Sequence, residues 1–195
     1  MNNPVRLLVA ALLLGVTACN SQPAAEPPLA GARLGGAFTL IDQNGRTVSD
    51  TSFAGRYRMI YFGYTFCPDV CPTSLQHLMQ GLKKFAATAP DRAAKVQPIF
   101  ITVDPARDTP AAMKQYVSAF DPRLIGLTGS EAQIADVAKR YGVYYQKAEN
   151  AGSSDYLVDH MSHGMLFDPD GKPLALLPQE QDGDAIAEEL AKWVK

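Results

Sequence analysis

The chain has 195 residues, 47% of them hydrophobic, enough for one ordinary globular domain plus an N-terminal extra. A net charge of −2 and a pI near 5.9 leave no basic footprint for nucleic acid. No internal repeat and no second domain is visible in the sequence.

The first apolar run, Leu7–Val16, is too short for a stable membrane-spanning helix, which needs about 20 residues. Preceded by Arg6 and followed by small residues, it reads as a signal peptide over residues 1–18. Val16-Thr17-Ala18-Cys19 resembles a bacterial lipobox, in which the cysteine is lipidated and becomes the first mature residue. The Pro- and Ala-rich block Asn20–Arg33 then reads as a flexible tether, giving a lipidated segment 19–34 ahead of a domain at 35–195. The expected location is exported, anchored by lipid to a bacterial membrane and facing the periplasm. With Cys19 lipidated, the chain's three cysteines reduce to one pair, Cys67 and Cys71, in an oxidising compartment.

Phe38–Val48 predicts two short strands around the turn Asn44-Gly45. Arg58–Tyr64 is an unbroken apolar run suited to a buried strand. A helix is expected from Pro72 to Ala87, with Leu75, Leu78, Met79, Leu82 and Phe85 at helical spacing. Val96–Val103 predicts a second strand. Thr109 caps a helix running to Phe120, Leu124–Leu127 a short strand, and Ser130 a helix to Tyr141. Gly164–Asp168 and Pro173–Leu177 predict a hairpin around Asp168-Pro-Asp-Gly171, and Asp184–Val194 a final amphipathic helix. Alternating strands and helices argue an α/β fold, a central mixed sheet with helices on both faces and an N-terminal β-hairpin. An early β-loop-α carrying two cysteines, closed by a hairpin and a helix, is the thioredoxin-like plan.

Chemistry concentrates in Tyr61-Phe-Gly-Tyr-Thr-Phe-Cys67-Pro-Asp-Val-Cys71-Pro72. Residues i and i+4 share a helix face, so the two thiols should point the same way and either close a disulfide or hold one soft metal ion.

Four segments are similar to the Sco/SenC family of copper-binding, thioredoxin-fold assembly factors. They are Tyr61–Pro72; Phe100–Pro110 (Phe-Ile-Thr-Val-Asp-Pro-Ala-Arg-Asp-Thr-Pro); Leu127–Tyr141, with Leu-Thr-Gly-Ser and Lys-Arg-Tyr; and Tyr156–Gly171, with Val158-Asp159-His160 and Asp-Pro-Asp-Gly. The resemblance implies that Cys67, Cys71 and His160 bind one copper ion. It further implies delivery to the dinuclear copper centre in subunit II of cytochrome c oxidase. A periplasmic copper donor or thiol reductant would be a further partner. Two thiolates suit Cu(I), and an added imidazole admits Cu(II). Three ligands leave an open position for transfer.

Two other functions compete. In a thiol–disulfide oxidoreductase acting on the acceptor's cysteines, Cys67 would attack and Cys71 resolve. A peroxiredoxin would need Thr-x-x-Cys, and Thr65-Phe66-Cys67 is one residue short. Around the ligands, Asp69 either raises the thiol pKa by repulsion or caps the helix, and Asp159 either orients His160 or serves a turn. Asp104, Arg107 and Asp108 are expected to form a structural ion pair or cap network. His77, six residues past Cys71, cannot share its helix face. Odd spacing sends His163 away from His160. In His160-Met-Ser-His-Gly-Met165 the family pattern has an aromatic where Met165 stands. Met161 or His163 is therefore an auxiliary copper contact, or the methionines fill the core.

Overall fold

The computed structural model describes residues 25–148 and 156–195. The signal segment, Cys19 and residues 20–24 of the expected tether lie outside the described residues. Residues from Leu29 onward lie against the domain: the Leu29 amide donates to the Leu174 carbonyl and that of Gly35 to Arg140. The C-terminal part of the expected tether is therefore bonded to the domain from Leu29 onward.

The expected hairpin comprises β1 (Thr39–Asp42) and β2 (Thr47–Ser49), closed where Asp42 Oδ1 accepts from the amides of Asn44 and Arg46. Next come β3 (Tyr57–Gly63), α1 (Val70–Thr88), a short α2 (Pro90–Ala93) and β4 (Val96–Thr102). They are followed by α3 (Pro110–Ser118), β5 (Ile125–Thr128) and α4 (Glu131–Arg140). Then follow β6 (Tyr145–Ala148), β7 (Leu157–His160), β8 (Gly164–Phe167), β9 (Pro173–Leu177) and α5 (Gly183–Trp193).

Seven strands form one mixed sheet in the order β2-β1-β5-β4-β3-β8-β9. Its centre is parallel, β3 with β4 and β4 with β5, while β1, β8 and β9 run antiparallel. Every residue of β3 and β4 is buried, which is why both read as unbroken apolar runs.

Successive β3 residues face opposite layers. Tyr61 stacks on Phe100, which meets Tyr116 of α3, and α1 packs on this same side. Phe62 instead meets Tyr141 at the end of α4. Helices thus cover both faces, as the thioredoxin-like plan requires. Helix α5 lies on α1, where Gly81 admits Ile186: a Cβ at Gly81 would sit 2.5 Å from that side chain's Cβ. The pair β6 and β7 forms a separate two-stranded antiparallel ribbon. Sequence patterning did not reveal it.

Candidate metal centre

Helix α1 begins at Val70, with Asp69 in the N-cap position. Cys67 therefore lies in the turn before the helix and Cys71 within its first turn, so helical i, i+4 spacing does not explain their meeting. The turn itself brings them together, because the Cys71 amide donates to Cys67 Sγ at 3.4 Å. The loop is pinned from below. Asp108, fully buried, accepts from the Thr65 amide (3.0 Å), the Thr65 hydroxyl (2.6 Å) and the Thr102 hydroxyl (2.6 Å).

His160 arrives from the other side, as the last residue of β7. Its Nε2 stands 3.1 Å from Cys71 Sγ, and Nδ1 faces the Met161 carbonyl at 3.1 Å. A carbonyl can only accept, so Nδ1 donates to it, and Nε2 faces the sulfurs. Tyr61 and Tyr64 meet the imidazole edge-on, with centroids at 6.4 and 5.8 Å. The Tyr64 hydroxyl also accepts from the Val158 amide, fastening β7 over the cysteine loop.

A second clamp holds the start of β7. The Arg107 guanidinium pairs with buried Asp104, donates to the Tyr156 carbonyl at 2.9 Å and lies over the Tyr156 ring at 3.8 Å. The Tyr156 hydroxyl returns to Asp104 at 2.7 Å. The Asp-Pro-Ala-Arg-Asp motif is thus an ion pair (Asp104–Arg107) and a loop anchor (Asp108), while the α3 cap is Thr109.

The two thiols are electrostatically unlike. A hydrogen bond from Cys71 to its sulfur lowers the Cys67 pKa to about 4, aided by His160 and the backbone amides of Asp69 and Cys71. That same bond, then burial, pushes the Cys71 pKa well up. Near neutral pH the pair holds one thiolate, on half-buried Cys67, and one thiol, on buried Cys71. No disulfide joins Cys67 and Cys71.

One donor atom from each of Cys67, Cys71 and His160 lies within 4.8 Å of the other two. Metal–donor bonds of about 2.0–2.3 Å place three donors around one ion roughly 3.5–4 Å apart. The set fits a soft or borderline cation with little rearrangement, and its mixture of sulfur and imidazole matches copper.

The flanking residues fall differently from expectation. Asp69 makes no side-chain capping bond. Its effect on Cys67 comes through its backbone amide and lowers the pKa, opposite in sign to repulsion from its carboxylate. Asp159 is exposed on β7, and the Met161 carbonyl makes the contact to the imidazole. His77 bonds the Gln179 carbonyl at 2.9 Å, away from the cysteines. Met165 is buried in β8, with Met161 and His163 lining the same cavity beside it, so none of the three joins the Cys-Cys-His cluster. Sequence reasoning did not find Gly63, where a Cβ would come within 2.9 Å of Cys71 Sγ. Nor did it assign Tyr61, Tyr64, Thr65 or Tyr156. Their contacts span tens of residues, so no local pattern announces them.

Known proteins carry the same frame. A family model described as SCO1/SenC matches residues 26–195. Protein sco1 of Schizosaccharomyces pombe is 39% identical over 163 residues, which is 83% of this chain but 61% of that protein. The chain therefore spans less than two thirds of that relative's length. Bradyrhizobium japonicum ScoI, solved with copper bound, is 44% identical, with a TM-score of 0.73 over 82% of this chain and 99% of that one. BsSco is described with a disulfide switch, as a member of the Sco family of cytochrome c oxidase assembly proteins. It is 26% identical, with a TM-score of 0.65 over 89% of this chain and 100% of that one.

Proposed function

Since this chain belongs to the SCO1/SenC family, we propose that it is a copper chaperone of cytochrome c oxidase assembly. It holds one copper ion on Cys67, Cys71 and His160 and passes it to the dinuclear copper centre of the oxidase's subunit II. The observation that carries this reading is the convergence of three donors on one point, two from the turn between β3 and α1 and one from the separate β6–β7 ribbon. Copper is cargo here. Cys67 supplies a ready thiolate, Cys71 gives up its proton on loading, and His160 offers Nε2. The imidazole sits at the end of a two-stranded ribbon, so its withdrawal opens the ligand set toward an acceptor.

Oxidation of the pair to a disulfide, releasing two protons and two electrons to a disulfide-bearing partner, would block loading, and a periplasmic thiol reductant would restore it. The low pKa of Cys67 beside a buried thiol also suits a second reading, reduction of the acceptor's own cysteines by attack from Cys67. Cys19, outside the described residues, would carry the lipid that holds the domain at the membrane on its periplasmic side.

Titrating reduced protein with Cu(I) against a competing chelator tests the site. One equivalent should bind, and Cys67→Ser, Cys71→Ser and His160→Ala should each weaken it by more than the roughly 10–100-fold that losing an outer-shell partner costs. Unchanged affinity in any of them would refute the ligand set. Retained disulfide reduction by His160→Ala with lost copper binding would assign that residue to metal alone. Cys19→Ser should release the protein from the membrane fraction.

A further inference from the structure

The structure assigns a second, weaker soft-metal site to Met161, His163 and Met165, on the sheet face opposite the cysteines. Met165 lies on β8 and is buried, while Met161, Ser162 and His163 form the connection that leads from β7 into it. A Cβ at Gly164 would meet Leu78 of α1, on the cysteine side, so Met165, the next strand residue, faces the other layer. There Met161, His163 and Met165 line one cavity of about 130 Å³, closed by Leu29, Leu34 and Leu176.

Two thioethers and an imidazole are neutral donors, and that combination selects Cu(I) or Ag(I) over Zn(II) or a hard divalent ion. The surrounding wall is mostly apolar and suits a soft ion of low coordination number. Met161 is 41% exposed and Met165 only 3%, so one methionine stands at the surface end of the cavity and the other is enclosed. His77 and His160 each face a main-chain carbonyl through Nδ1. His163 makes no such bond among the described residues.

The site has no thiol and no counter-charge, so it binds more weakly than the Cys-Cys-His set and does not depend on the redox state of Cys67 and Cys71. It would keep Cu(I) on the protein while the cysteines are oxidised. The cavity is lined by none of Cys67, Cys71 and His160, so the two ligand sets are separate. The inference does not require that the chain serve an oxidase.

The test uses the variant Cys67→Ser/Cys71→Ser/His160→Ala, which leaves only the second set. Under competition with bicinchoninate it should still bind Cu(I), and adding Met161→Leu and Met165→Leu, which preserve volume, should weaken this by about tenfold or more. No binding by the triple variant, or binding indifferent to the leucines, overturns the proposal. The wild-type chain gives an independent reading. With Ag(I) in excess over the first site, the methyl resonances of Met161 and Met165 should shift together and stay fixed with Zn(II). Silent methyls with Ag(I), or shifts of the same size with Zn(II), overturn it as well.

Discussion

Cys67 and Cys71 sit in one turn but in different surroundings, and their reactivity should divide accordingly. Cys67 is half-buried and ionised above about pH 4, whereas Cys71 is buried, donates to it and stays protonated. At pH 6, iodoacetamide should alkylate reduced, metal-free protein once, at Cys67, as read by peptide mass spectrometry. Equal labelling of both cysteines would contradict the assignment. The same asymmetry has a consequence for stability. A group whose folded pKa lies below its ordinary value of 9.0 contributes stability in full above pH 9, and this is lost as pH falls toward 4. The raised pKa of Cys71 acts with opposite sign, and only above pH 9. Between pH 5 and 8 the urea midpoint of the reduced wild type should therefore gain on that of Cys67→Ser, and parallel curves would count against a depressed Cys67. Gly63 sets the remaining constraint at this scale. Its missing side chain lets Cys71 Sγ and the Phe100 ring close over β3, each 2.9 Å from where a Cβ would stand. Gly63→Ala should cost about 1–3 kcal/mol in urea denaturation and weaken copper binding, because the displaced sulfur is a ligand. A variant with native stability and affinity would show that the loop absorbs the methyl group.

At the scale of elements, the site is a junction of two unequally held parts. The cysteine loop is fixed by Asp108, whose removal strands one buried amide and two hydroxyls. Asp108→Ala should destabilise by about 3 kcal/mol and disturb Cys67 alkylation as well as metal binding. Arg107→Ala should act chiefly on the ribbon, since it frees Tyr156 just ahead of β7 and leaves the Thr65–Asp108 anchor intact, although it also uncovers the Phe66 ring of the cysteine loop, over which the guanidinium lies at 4.8 Å. Copper affinity should fall by about tenfold, as for other outer-shell losses, with the alkylation rate at Cys67 changed by less. A matching drop in both would mean the two clamps are one unit. This division also accounts for what the sequence disclosed. β3 and β4 are covered on both faces and announce themselves as apolar runs, and α1, α3, α4 and α5 carry caps or apolar stripes. The ribbon strands are four residues each, partly exposed and interrupted by Gln146, Lys147 and Asp159, and no period stands out in them. His160 was named through resemblance, while its placement over the thiols depends on Tyr64, Arg107 and Tyr156, whose partners lie far away in the chain.

For the whole molecule, the consequential feature is that the ligands hang from two sheets. Cys67 and Cys71 are attached to the end of β3, at the middle of the seven-stranded sheet, whereas His160 belongs to the two-stranded ribbon. Two short strands are marginal by themselves, so the ribbon depends on its clamps and has the lower local stability. An ion bound by both parts adds a cross-link between them. Ligand at a thousandfold excess over its dissociation constant contributes about 4 kcal/mol to the folded state. The local opening of β6 and β7 should be suppressed by much of that amount, because opening breaks the His160 bond, while the fully buried β3 and β4 should exchange only through global unfolding with or without metal. Hydrogen exchange of the reduced protein, with and without one equivalent of Cu(I), reads this directly. Protection should rise most at Tyr145–Ala148 and Leu157–His160, and that rise should be absent in His160→Ala even when Cu(I) is raised until the cysteines are loaded. Protection gained evenly across both sheets, or confined to the first turn of α1, would mean that the ion does not bridge them.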